Sequence, residues 1–121
     1  MQIIIPLPPI TKKNSQRIVV NQRTKRPMVM PSKQYKQYEK DCSYFITPQN
    51  TIDYPVNVKC LYYMPTRHRV DLTNLLEATH DILVKYKVLE DDNSNVIVSV
   101  DGSRVLYDKE NPRTEVYITK V

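Results

Sequence analysis

Six acids fall between positions 71 and 92: Asp71, Glu77, Asp81, Glu90, Asp91 and Asp92. Only Lys85 and Lys87 offset them, so this segment carries −4. Carboxylates held close together repel one another unless a cation neutralises them. An all-oxygen donor set suits Mg²⁺ or Mn²⁺ rather than Zn²⁺. Residues 1–40 have the opposite character, with nine Lys and Arg against Glu39 alone, which gives +8. A cation beside basic loops is the arrangement that hydrolyses a phosphodiester. Arginine and lysine hold the polyanion, and carboxylates hold the metal that activates water and steadies the leaving oxygen. Plainer readings compete: Asp71 as a helix cap, Glu77 pairing with Asp81 or Lys85, and Asp91-Asp92-Asn93 as an ordinary turn.

Composition narrows the chemistry further. The chain has 121 residues, a net charge of +5, nine prolines and one glycine. Phosphate loops, dinucleotide fingerprints and nucleophile elbows each need closely spaced glycines. All three are excluded, and side chains must carry any reaction. Cys42 and Cys60 form no C-x-x-C pair, and His68 and His80 stand at no zinc-ligand spacing. Two reduced, buried thiols in a cytoplasmic protein are expected. No apolar run approaches the ~20 residues of a membrane span. The apolar start lacks a basic region and is broken by Pro6, Pro8 and Pro9, unlike a signal peptide.

The acids need elements to position them. One domain over residues 1–121 is expected at this length. Met1–Leu7 reads as a strand with Ile3, Ile5 and Leu7 on one face. Gln16–Val20 and Pro27–Met30 read as two short strands joined by the basic loop Asn21–Arg26. Ser32 to about Thr47 reads as a helix, with Tyr35, Tyr38, Cys42 and Phe45 on its apolar side. Val56–Met64 alternates cleanly as a strand and runs into the loop Pro65–Val70. A second helix spans about Thr73 to Tyr86, with Leu75, Leu76, Thr79, Ile82, Leu83 and Tyr86 on one arc. Asp71 precedes this helix, and Asp91 and Asp92 follow it. Asp71 and Asp92 therefore meet only if the chain doubles back. Asn95–Val100 and Ser103–Tyr107 flank Asp101-Gly102, which predicts a hairpin with Val98 facing Val105. Thr114–Thr119 is the last strand. The order predicts an α+β fold, a mixed or antiparallel sheet with two main helices on one face.

The segment Val70-Asp71-Leu72-Thr73-Asn74-Leu75-Leu76-Glu77-Ala78, then Asp81-Ile82-Leu83, then Val88-Leu89-Glu90-Asp91-Asp92, resembles the RusA family of Holliday junction resolvases. That family reads D-x-D-N-L-x-K-A, then D-x-L, then a valine shortly before paired aspartates. Pro8-Pro9 followed by Lys13-Asn14, and Pro112-Arg113-Thr114-Glu115-Val116, are similar to the family too. The resemblance implies a RusA-like endodeoxyribonuclease domain. It implies a homodimer that uses Mg²⁺ to nick four-way junctions in recombination and repair, often encoded by prophages. Its first aspartate maps to Asp71 and its downstream catalytic aspartate to Asp92. Two positions depart: Thr73 replaces an aspartate and Glu77 a lysine.

A variant site follows. Asp71, Glu77 and Asp92 are the catalytic candidates, and Asp71, Asp92, Asp91 and Glu77 the metal-ligand candidates. Thr73, Asn74 and Asp81 support them, and Lys85 or Lys109 would replace the missing cation. Lys12, Lys13, Arg17, Arg23, Lys25, Arg26, Arg67 and Arg69 are the candidate DNA phosphate contacts. Two symmetric nicks suit a two-fold dimer. A junction- or single-strand-binding module without nuclease activity is the main competitor. A helix-turn-helix regulator is disfavoured, because Glu77 and Asp81 would be repelled from a phosphate-lined groove.

Overall fold

The computed structural model describes residues 1–12 and 16–121, with the backbone alone described for 16–19 and 28–31. Lys13 and Asn14 lie outside the described residues, as does the side chain of Arg17. The strands are β1 (Gln2–Ile5), β2 (Gln16–Val20), β3 (Pro27–Pro31), β4 (Val56–Met64), β5 (Ile97–Ser99), β6 (Arg104–Tyr107) and β7 (Arg113–Lys120). The helices are α1 (Lys33–Cys42) and α2 (Leu72–Lys85). The result is a single mixed α+β domain. A five-stranded sheet in the order β1-β7-β4-β5 carries β6 on β4, and β2 and β3 form a separate antiparallel pair.

β4 is the centre of the sheet. Its period-two pattern buries Val56, Val58, Cys60 and Tyr62 and leaves the alternate residues half-exposed. It pairs antiparallel with β7 from Val56↔Lys120 to Tyr63↔Arg113. The helices supply the other layer. α2 buries Leu75, Leu76, Ala78, Thr79, Ile82 and Leu83. Each fully buried aliphatic side chain of this kind contributes about 1.5–3 kcal/mol. One buried polar link fixes the helix on the strand: Tyr62 and Thr79 hydroxyls stand 2.7 Å apart, and Thr79 also bonds the Leu75 carbonyl at 3.1 Å. Thr79 has one hydroxyl proton, which the carbonyl takes, so Tyr62 donates to Thr79.

Two expectations need correction. α1 begins as its sequence indicates, with Ser32 accepting from the Tyr35 amide at 3.1 Å. It ends at Cys42, however, and continues as a 3-10 turn over Ser43–Phe45. The tighter turn breaks the 3.6-residue period, and Phe45 is turned out to 41% exposure. The second correction is larger. Asp101-Gly102 does not make a hairpin: β5 and β6 both run parallel to β4 along the same edge. Asn57 captures the turn, its side-chain oxygen accepting from the Asp101 amide at 2.8 Å and its amide donating to the Asp101 carbonyl at 3.2 Å. Ser103 then accepts the Cys60 amide at 3.0 Å. These bonds hold the chain to β4 on both sides of the turn, so it jogs rather than reverses. Glycine suits the position because φ is +87°, where other residues are strained, and a Cβ would stand 3.0 Å from the Lys59 stem, which would have to give way.

Cys42 and Cys60 are free and buried, as expected. Burial pushes the Cys42 thiol up to about 12 and Cys60 to about 11, from 9.0. Both thiols therefore favour the folded state fully below pH 9.0, and lose that contribution as pH rises toward the folded values. At pH 8 the native protein should leave an aromatic disulfide reagent almost unreacted, and denaturant should release both thiols. Rapid labelling of either thiol in the native protein would show that its burial is wrong.

Candidate functional site: the acidic flank of the second helix

Asp71 is the N-cap of α2, yet its carboxylate makes no cap hydrogen bond. Its backbone carbonyl accepts from Asn74 and Leu75 at 3.1 and 3.2 Å, which starts the helix without the side chain. The carboxylate is exposed, and its one bond is a long one, 3.4 Å from the Asn74 side-chain amide. The capping alternative is thereby answered: the position is a cap, but the charge is left over. It sits where the helix dipole favours an anion.

The other end of α2 explains where Asp92 goes. Lys87 takes a left-handed φ of 64°, and the Val88 and Leu89 amides both return to the Leu83 carbonyl. Val88 and Leu89 are buried, and Ile52 bonds the chain on both sides of Leu89. Beyond this anchor Asp91 organises the loop. It accepts from the Asp92 amide at 2.7 Å and from the Asn93 side chain at 3.0 Å. Asp92 itself is exposed, and among the described residues its carboxylate has no hydrogen bond or ion pair. Its negative charge pulls the His80 pKa upward. His80 is half-buried, with Nε2 enclosed and without a partner among the described residues, and burial lowers its pKa against the opposing pull of Asp92 and Asp81.

The remaining acids face another way. Glu77 is exposed, and among the described residues its carboxylate makes no hydrogen bond or ion pair; its charge, with those of Glu39 and Asp81, falls on the Tyr35 hydroxyl of α1. Asp81 is ion-paired with Lys12, which also lies 5.9 Å from the Tyr35 ring centre. Lys85 is ion-paired with Glu39 of α1, so it clamps the two helices together. Lys109 stands exposed in the connection between β6 and β7. Thr73 is exposed in the first turn of α2. Among the described residues, no three His, Cys, Asp or Glu side chains are gathered as a ready metal cage. The structure brings together Asp71 with Asn74, and Asp92 with Asp91; among the described residues it does not join Asp71, Glu77, Asp91 and Asp92 into one metal-holding group.

The donors fit Mg²⁺ in a particular sense. This ion keeps several waters and binds through one or two carboxylates plus substrate phosphates rather than an all-protein cage. Asp71 and Asp92 are carboxylates with unused acceptor capacity. The candidate phosphate-contact cations that are described lie on the surface, Lys12 apart. Arg23, Lys25 and Arg26 form the tip of the β2–β3 hairpin, where Asn21 accepts the Arg23 and Thr24 amides at 2.8 and 3.1 Å. Arg67 and Arg69 are exposed in the loop that leads directly into Asp71.

Sequence reasoning missed one polar network. Arg113 bonds Glu115 at 2.6 Å and Asp108 at 2.9 Å, and its guanidinium lies 3.7 Å from the Tyr63 ring centre. Tyr117 donates to Glu115 at 2.7 Å, and that bond, with Arg113, holds Glu115 below the usual carboxylate range. The signal was available: Arg113, Glu115 and Tyr117 alternate at strand period on the sheet face opposite Thr114, Val116 and Ile118.

A family model described as Endodeoxyribonuclease RusA matches residues 6–119. No curated protein matched the sequence. The family match spans nearly the whole chain, so the protein belongs to the RusA endodeoxyribonuclease family. Membership implies Holliday junction resolvase activity and binding to branched DNA.

Proposed function

We propose that this RusA-family protein is a Mg²⁺-dependent endodeoxyribonuclease that nicks four-way DNA junctions in recombination and repair, of the prophage type. The observation that carries the reading is a pair of carboxylates without structural work, one just before α2 in the chain and one in the loop that follows it. Asp71 occupies a cap position without capping, and Asp92 is left free while Asp91 does the structural work of the loop. Asp71 and Asp92 would hold the ion, with Mn²⁺ as the alternative metal. Such an ion supplies charge neutralisation at a scissile phosphate and a more acidic bound water. Asn74 orients Asp71, Thr73 stands within a turn of it, and Glu77 adds a third unpaired carboxylate on the same helix. Arg67 and Arg69 would hold the phosphates that enter beside Asp71. A homodimer would present two such sites to the two symmetric nicks.

The deciding experiment is incubation with a synthetic four-way junction, with Mg²⁺ and with EDTA, beside linear duplex. Paired nicks on the junction alone, abolished by EDTA, are expected. Tight junction binding without any metal-dependent nicking would replace the enzyme with a binding protein of the same fold, the outcome that Thr73 and Glu77 would then explain. A solution mass equal to the 14.2 kDa monomer at working concentration would overturn the dimer.

A further inference from the structure

We propose that Tyr107 and Arg67 form a stacking platform for one unpaired nucleobase of the DNA, next to the Asp71 end of α2. The inference rests on the nucleic-acid reading above and adds a specific base-binding subsite to it.

Tyr107 is the last residue of β6 and is registered beside Met64 at the end of β4. The Arg67 guanidinium lies 4.2 Å from its ring centre, yet Tyr107 keeps 39% of its surface exposed. The two form part of a surface cavity of about 470 Å³, completed by Met64, Thr66, His68 and Leu106 among others. A second cavity of about 210 Å³ shares Met64, Thr66 and His68, and carries Arg69 on its wall. Among the described residues neither Arg67 nor Arg69 has an ion-pair partner, so both charges remain available to a polyanion. Asp108, the nearest acid in sequence, is neutralised by Arg113.

The chemistry of this cleft is selective. A phenol ring and a planar guanidinium offer flat surfaces on which any base stacks, and the loop cations track the phosphates on either side. A duplex keeps its bases stacked on each other and has none to offer. A single strand does, and so does a branch point whose central base pairs have opened. Among the described residues the other exposed tyrosines lack this combination: Tyr44 makes no ring contact with a cation, and Tyr54 meets Lys120, a point charge, at 5.2 Å. Tyr107 is also the one placed beside the loop that delivers Asp71.

The test uses 2-aminopurine, whose emission falls when it stacks. It is placed in a single-stranded oligonucleotide and, separately, unpaired at the centre of a four-way junction. The wild-type protein is expected to quench both. Tyr107→Leu should abolish the quench and weaken single-strand binding by about five- to a hundredfold. Tyr107→Phe keeps the ring and should behave as wild type. The wild-type quench needs no variant, so misfolding of Tyr107→Leu would not shield the proposal. A junction that is bound and nicked with unchanged emission overturns the platform and leaves the nuclease reading standing. Quenching of the single strand without junction binding supports the platform and overturns the junction reading. No binding to either probe overturns both.

Discussion

Asp92→Asn is expected to cut Mg²⁺-dependent junction nicking by about a hundredfold or more, while junction binding in EDTA stays within about threefold. The amide keeps the shape of the carboxylate and removes only its charge. A hard cation held by two carboxylates loses half of its protein charge in that exchange. The folded state should hardly notice, because among the described residues the Asp92 carboxylate makes no hydrogen bond or ion pair. Its stability should change by no more than about 0.5 kcal/mol, as at other exposed positions without structural contacts. His80 gives a second readout. Asp92 holds its pKa up against burial, so removing that charge should lower the imidazole pKa further. An NMR titration would see this shift whether or not the variant cuts DNA. Asp91→Asn is the control: its carboxylate serves the Asp92 amide and the Asn93 side chain, so its loss acts through loop order. If Asp92→Asn nicks at the wild-type rate, the ion is held elsewhere.

The legible part of this fold was whatever has a short period. Val56–Met64 alternates without interruption and is β4 residue for residue. The arc from Leu75 to Leu83 marks the buried side of α2. Local rules failed where a long-range contact overrode them. Asp-Gly between apolar runs is a hairpin signal, but Asn57 lies forty-odd residues away in sequence and binds the turn from both sides. No window around Gly102 contains that information. Phe45 failed for a smaller reason, since one 3-10 turn shifts the phase of everything after it.

The site divides in the same way. Asp71 and Asp92 could be picked out by their spacing and family pattern, but the reason they are available is structural. One caps without bonding, and the other follows a neighbour that takes the loop's hydrogen bonds. The polar face of α2 could not be sorted from sequence. Glu77, Asp81 and Lys85 look equivalent on a helical wheel, yet Asp81 and Lys85 are spent on Lys12 and Glu39 while Glu77 is not. Tyr107 was one tyrosine among nine until its exposure and the guanidinium beside it separated it from Tyr35 and Tyr62, each only 1% exposed.

Junction affinity should fall steeply with salt, and the structure says how steeply. Of the eight candidate phosphate contacts, Lys12 is already ion-paired with Asp81. Arg23, Lys25, Arg26, Arg67 and Arg69 are exposed. Five phosphate contacts per protomer predict a slope of about −4.5 for log affinity against log salt, and therefore about a 500-fold loss between 50 and 200 mM salt. A dimer engaging both surfaces at once would approach twice that slope. The two groups of cations can be separated. Arg67→Gln with Arg69→Gln should flatten the slope by about 1.8 per protomer engaged, and the hairpin-tip variant Arg23→Gln with Arg26→Gln should do the same. Their consequences for nicking should differ, because only the loop of Arg67 and Arg69 runs into Asp71. At low salt, where binding is restored, the hairpin variant should nick at close to the wild-type rate and the loop variant should not. Equal recovery of both would mean that Arg67 and Arg69 supply affinity without placing the scissile phosphate. A slope near zero for the wild type would remove the polyanion from the account altogether.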